Sequence, residues 1–128
     1  MTTPACARTV LIVEDDADTR DAIVEVLTDR DYRALEASNG ADALHELRAA
    51  APQPCVILLD MMMPVIDGKE FRNVQRVDEA LREIPVVVLS AHADATSLAD
   101  QMQAAGFLRK PVDLVTLLQT VEQFCARD

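Results

Sequence analysis

Apolar residues gather in four short runs, and each run stops at a polar or charged residue. Val10-Leu11-Ile12-Val13 ends at Glu14-Asp15-Asp16, and Cys55 to Leu59 ends at Asp60. Val86-Val87-Val88-Leu89, introduced by Pro85, ends at Ser90-Ala91-His92, and Phe107-Leu108 ends at Arg109-Lys110-Pro111. Continuous rather than alternating apolarity is the pattern of strands covered on both faces. A further, more polar stretch from Tyr32 to Ala37 predicts an edge strand.

Between these runs the apolar period changes to that of a helix. Asp16 and Asp18 offer an N-cap and a first-turn charge to a helix carrying Ala22, Ile23, Val26 and Leu27, which Asp29-Arg30-Asp31 breaks. Asn39-Gly40 predicts a turn, and Ala41 to Ala51 a helix that stops before Pro52 and Pro54. Phe71, Val74 and Val77 mark a helix after Gly68. Asp94 to Ala105, with Leu98 and Met102, predicts a short alanine-rich helix ended by Gly106. Asp113 caps a last helix whose stripe is Leu114, Leu117, Leu118, Val121 and Phe124. Strands alternating with helices predict an α/β fold, a flavodoxin-like (βα)5 three-layer sandwich. Right-handed crossovers give its parallel five-stranded sheet the order 2-1-3-4-5.

Composition narrows the function. A length of 128 residues suits one domain over 8–126, after a flexible segment over 1–7 and with no output domain. A formal net charge of −10 excludes direct nucleic-acid binding, which needs a basic face. No apolar stretch is long enough to span a membrane and no signal peptide opens the chain, so a cytoplasmic location is expected. Cys6, Cys55 and Cys125 are odd in number and far apart, so reduced thiols are expected, with Cys55 in the core.

Ligands of an open α/β sheet gather at the carboxyl ends of its strands. There this chain places Glu14-Asp15, Asp60, Ser90 and Lys110. An Asp closing one strand is more often a turn residue or cap, but strands 1 and 3 are neighbours in this order and their carboxylates meet. Such carboxylates need a counter-charge: either a pKa rises or a cation binds. Oxygen ligands without His or Cys select a hard ion, Mg2+, with Mn2+ as a substitute. A metal, a lysine and a hydroxyl around one carboxylate make a phosphoryl site, with Asp60 attacking in line to form an acyl phosphate.

Taken in order, Leu11-Ile12-Val13-Glu14-Asp15-Asp16, Leu58-Leu59-Asp60-Met61-Met62-Met63-Pro64 with Asp67-Gly68, Val88-Leu89-Ser90-Ala91 and Lys110-Pro111 resemble the receiver domain of two-component response regulators, over roughly residues 8–126. The resemblance implies that Asp60 is the phosphoacceptor, that Asp15 binds Mg2+ directly and Glu14 through water, and that the Met62 backbone carbonyl is a further ligand. It also implies Ser90 as the switch hydroxyl, Lys110 as the phosphate-pairing lysine and Phe107 as an aromatic rotamer switch. Met62 and His92 hold the positions that tune phosphate lifetime, although His92 is read first as an exposed loop residue. A cis bond before Pro111 belongs to the same resemblance.

The donor implied is a phosphohistidine on a sensor histidine kinase or a phosphotransfer protein. The output is a contact face built from the predicted helix over 94–105, the fifth strand and the last helix. It would engage an unnamed downstream protein, as a monomer or a phosphorylation-linked dimer. Catalysis is then limited to self-phosphorylation and slow autodephosphorylation. The chain departs from the family pattern between Ser90 and Lys110, which is short, with Ala104-Ala105-Gly106 before the fifth strand.

Two rival readings remain. A small phosphohydrolase with an aspartate nucleophile would want a second acid two residues after Asp60, where Met62 stands. A phosphorylation-independent scaffold has no need of Glu14, Asp15, Asp60, Ser90 and Lys110 together. Dinucleotide and P-loop binding fail for want of a glycine-rich loop after a strand.

Overall fold

Three continuous apolar runs form central strands buried on both faces, and two more exposed strands close the edges of the sheet. The computed structural model describes residues 8–50, 53–60, 68–79, 81–91 and 103–125. Its strands are β1 (Thr9–Val13), β2 (Arg33–Ala37), β3 (Val56–Asp60), β4 (Val86–Ser90) and β5 (Gly106–Arg109). Its helices are α1 (Ala17–Thr28), α2 (Gly40–Ala49), α3 (Gly68–Val77) and α4 (Leu114–Phe124). The strands form one parallel sheet in the order β2-β1-β3-β4-β5, as the sequence predicts.

The two faces of the sheet are filled by alternate residues of the same strands. Leu11, Val13, Ile57, Leu59, Val86 and Val88 pack with Leu44 and Leu47 of α2 and Phe71 of α3. Val10, Ile12, Val56, Leu58, Val87 and Leu89 pack with Ile23 and Leu27 of α1 and Leu117 and Val121 of α4. With every side chain of β1, β3 and β4 buried, polar residues are tolerated only at the strand ends. That is where the site is built.

Local chemistry sets the helix starts. Asp16 accepts from the Thr19 amide at 2.9 Å, Asn39 from the Asp42 amide at 2.8 Å, and Asp113 from the Val115 amide at 3.3 Å. Asn39-Gly40 is therefore a cap and a first helical residue rather than a free turn. In α3 the expected apolar spacing holds at Phe71 and Val74, but Val77 at the helix end is exposed. The fully buried Gln75 sits inward instead, its Nε2 donating to the carbonyls of Leu81 and Ile84, both at 2.9 Å.

Two expectations are corrected. The helix expected over 94–105 falls largely outside the described residues, and its last three positions are not helical. Gln103 has φ 54° and the Ala105 amide already bonds the Val86 carbonyl at 2.8 Å, so the chain has entered sheet register by then. Gly106 accordingly opens β5 rather than stopping a helix. Reduced thiols were expected, but Cys55 and Cys125 are paired as a disulfide, with Cα atoms 5.3 Å apart. Cys55 immediately precedes β3 and Cys125 caps α4. Laying α4 across the sheet brings these ends together, which a separation of 70 residues does not disclose.

Candidate functional site

Strand register delivers the acidic residues to one place. Val13 of β1 lies opposite Leu59 of β3, so the next residues, Glu14 and Asp60, come level where the two strands end. Glu14, Asp15 and Asp60 each offer a carboxylate oxygen within 4.8 Å of the others. Glu14 and Asp60 are buried and Asp15 is exposed, so the cluster has a closed floor and an open rim.

The β4–β5 side supplies the positive charge. Ser90 lies opposite Arg109, and one step later the Lys110 amide donates to the Ser90 carbonyl at 2.9 Å. The Lys110 ammonium reaches across to Glu14 Oε1 at 2.9 Å and Asp60 Oδ1 at 3.2 Å. The Lys110–Pro111 peptide is cis, in line with the resemblance. Burial pulls the Lys110 pKa down, but the short contact with Glu14 and the negative charges of Asp60 and Glu14 outweigh it. The result lies above the ordinary lysine value, so Lys110 is a firm cation.

Glu14 is held by its backbone as well as by its side chain. Its amide donates to the Ala37 carbonyl at 3.0 Å and its carbonyl accepts from Arg20 Nη1 at 2.8 Å. Arg20 is itself paired with Glu36 of β2 at 3.3 Å. Glu14 Oε2 accepts from the Asp16 amide at 3.2 Å. Oε1 is fully buried and has no aligned hydrogen-bond donor, only the Lys110 charge beside it. A buried carboxylate oxygen met only by the Lys110 ammonium, next to two further carboxylates, fits a hard cation with oxygen ligands. The exposed Asp15 leaves room for the water that Mg2+ tends to retain.

Of the residues singled out in the sequence, the fold therefore brings Glu14, Asp15, Asp60, Ser90 and Lys110 to one end of the sheet. Phe107 is exposed on the edge strand β5, two residues before Arg109, and stands outside this cluster. Met62 and His92 lie outside the described residues. Sequence reasoning missed Arg20. Its signal was a cation near the start of α1, where the helix dipole disfavours positive charge and some other partner must justify it. Beside the site a groove of about 320 Å³ runs between α1 and the start of α4, lined by Thr19, Ala22, Ile23, Pro111, Val112 and Leu114.

Comparison with known proteins gives the family and the fold. The family model described as "Response regulator receiver domain" matches residues 10–122. The tetrathionate response regulatory protein TtrR of Salmonella typhimurium is 35% identical over 121 residues, which are 90% of this chain and 55% of that protein. An uncharacterized 14.6 kDa protein of Leptolyngbya boryana is 32% identical over 120 residues, 91% of this chain and 88% of its own. Among solved structures, the chemotaxis protein CheY4 of Vibrio cholerae superposes with a TM-score of 0.82 at 29% identity, covering 91% of this chain and 97% of that one. The chain spans about half the length of several curated relatives, including the phosphate regulon regulator PhoB at 53%. No helix among the described residues is long and apolar enough to cross a membrane.

Proposed function

The chain belongs to the response regulator receiver family of two-component signalling, and from that premise we propose that it accepts a phosphoryl group on Asp60 from a phosphohistidine and thereby switches a protein-contact face. The observation that carries this reading is Asp60 itself. It is a buried carboxylate at a strand end, 3.2 Å from a lysine ammonium and clustered with Glu14 and Asp15.

In the step proposed, an Asp60 carboxylate oxygen attacks phosphorus in line, the phosphorus–nitrogen bond breaks, and the imidazole leaves and takes up a proton. The product is an acyl phosphate. Lys110 meets the developing charge on one phosphoryl oxygen, and the Ser90 hydroxyl, carried on the same backbone pair, donates to another. Asp15, Glu14 and Asp60 would hold Mg2+, which when bound supplies the remaining charge for the transferring group. Glu14, fixed by Ala37 and Arg20, keeps that acidic floor in place before the donor arrives. The groove between α1 and α4 leads to Lys110 and offers the donor protein an apolar rest.

Phosphorylation adds about −1.5 to −2 of charge and three acceptor oxygens. Drawing Ser90 and Lys110 toward it pulls on the ends of β4 and β5, and the Phe107 ring on β5 responds by packing alone, since it carries no hydroxyl. Turnover is confined to this self-modification and its slow hydrolysis, in the cytoplasm, with a downstream protein reading the result.

Intact mass after incubation with acetyl phosphate and Mg2+ tests the proposal. The wild type should gain one phosphoryl mass, and Asp60→Asn or an Mg2+-free sample none. A wild type that neither gains phosphate, from acetyl phosphate or a phosphohistidine protein, nor binds Mg2+ would leave only the scaffold reading.

A further inference from the structure

The pairing of Cys55 with Cys125 is the feature that the phosphoryl chemistry leaves unused. Cys55 sits immediately before β3, whose other end carries Asp60, and Cys125 caps α4, whose start lies just beyond Lys110. Both elements that flank the site thus share an anchor at their far ends. The two cysteines are buried within one apolar cluster, with Ile23, Leu27 and Tyr32 of the α1 side and Leu117, Leu118 and Val121 of α4.

We propose that Cys55 and Cys125 form a reversible redox modification site, oxidised by peroxides, that locks the end of α4 onto the start of β3. The Cα separation of 5.3 Å lies in the range that a disulfide spans without backbone movement. Cys55 Sγ stands 3.1 Å from the Thr9 carbonyl in the oxidised form, so on reduction its thiol would have an acceptor within reach. Neither redox form therefore leaves a buried group unmet at Cys55.

The chemistry balances with hydrogen peroxide as oxidant. One thiolate attacks a peroxide oxygen, the O–O bond breaks, and hydroxide leaves to become water, giving a sulfenic acid. The second thiol then displaces the sulfenic hydroxyl as water and the S–S bond forms. Two sulfurs are each oxidised by one electron and the peroxide is reduced to two waters. A dithiol reverses the reaction by exchange. Helix ends open at low free energy, so the last turn of α4 admits the oxidant.

Why the lock matters depends on place. A phosphohistidine donor works in a reducing compartment, where disulfides are transient or sensory; this step alone rests on the phosphorelay reading. The last turn of α4 carries no basic residue to offset the helix dipole, so the crosslink adds a restraint there. Oxidation closes a loop of 70 residues, the situation in which a crosslink restrains the chain most.

Thiol counting on the full chain, before and after hydrogen peroxide, decides the matter. Reduced wild type, denatured and alkylated, should take three alkyl groups, one for each cysteine. Peroxide-treated wild type should take one, weigh two hydrogens less before alkylation, and yield a peptide joining residues 55 and 125. Dithiothreitol applied to the folded protein should restore three. Hydrogen exchange of amides in the last turn of α4 should slow by about tenfold on oxidation, in wild type and in Cys6→Ser alike.

Three accessible thiols after peroxide, or a crosslink through Cys6, overturns the site. Resistance of the folded protein to dithiothreitol makes the bond a fixed staple and overturns reversibility, and unchanged exchange in α4 overturns the lock. None of these readouts involves phosphate, so failure of Asp60 to accept a phosphoryl group and failure of the redox site are separately visible.

Discussion

The Lys110 amide donates to the Ser90 carbonyl at 2.9 Å, so the hydroxyl and the ammonium proposed to meet a phosphoryl group are carried on one backbone rung. The rung sits just past the last paired residues of β4 and β5, Ser90 and Arg109. A change of side chain at either position leaves this rung intact. The effects of Ser90 and Lys110 on chemistry are therefore separable from effects on the sheet.

Ser90→Ala should fold like wild type and keep Mg2+ binding, yet take up phosphate from acetyl phosphate more slowly. Losing one hydrogen bond to a charged group costs about 1.5–3 kcal/mol, or roughly 10- to 150-fold in rate. A time course of intact mass reads the change. An unaltered rate would remove Ser90 from the site.

Lys110→Met should act on stability and metal binding with opposite signs. It leaves the buried Glu14 and Asp60 carboxylates without their cation, and breaking a buried pair in this way costs about 3 kcal/mol. The same loss removes a competitor for the acidic cluster, so Mg2+ should bind more tightly and raise the melting temperature more than in wild type. Urea unfolding with and without Mg2+ measures both. A fall in Mg2+ affinity would contradict the placement of Lys110 among the carboxylates.

Asp60→Asn should raise the melting temperature of the metal-free protein. It removes one of three carboxylates whose oxygens lie within 4.8 Å, where a pair of charges repels by about 3–4 kcal/mol at an effective dielectric of about 20, against which stands the loss of the Lys110 contact at 3.2 Å. Differential scanning calorimetry without Mg2+ gives the sign directly. A lowered melting temperature would mean that the Lys110 contact outweighs the repulsion.

Much of this site was legible before any coordinates. Runs such as Val86-Val87-Val88-Leu89 announce strands buried on both faces, and a polar residue closing such a run can only sit at its end. Glu14, Asp60, Ser90 and Lys110 follow from that rule plus strand order. The rest depended on contacts between distant segments. Arg20 matters because Glu36 of β2 and the Glu14 carbonyl flank it, and Cys125 because α4 ends over the start of β3. Gln75 escaped for a different reason. A glutamine at a helical position reads as solvated until two carbonyls, those of Leu81 and Ile84, are seen to need it.

That glutamine gives a stability prediction with no part in the chemistry. Gln75 Nε2 satisfies two carbonyls at 2.9 Å each, and its Oε1 accepts from Arg72 Nη1 at 2.7 Å. Gln75→Leu keeps volume and loses all three bonds, so it should destabilise by about 2–4 kcal/mol while leaving the Asp60 reaction intact in the folded fraction. Chemical denaturation and the phosphorylation time course together test this.

The charge state of Lys110 sets the alkaline limit of stability. Its folded pKa is raised, so the stabilisation it brings is fully present below the ordinary lysine value and is lost as pH rises through the higher folded value. The wild type should therefore lose stability from the ordinary lysine range upward, as the unfolded chain releases a proton that the folded one still holds. Asp16 works at the other limit. Its hydrogen bonds from the Thr19 hydroxyl and amide lower its pKa, so that cap contributes above the ordinary carboxylate value and is lost as pH falls through the depressed one. Melting temperatures across pH for wild type and Lys110→Met distinguish the two. The alkaline decline should be shallower in Lys110→Met, which has no ammonium to titrate, while the acid limb should persist in both. Parallel alkaline limbs would show that Lys110 does not hold its proton more tightly in the folded protein, and would break the argument that Glu14 and Asp60 grip it as a cation.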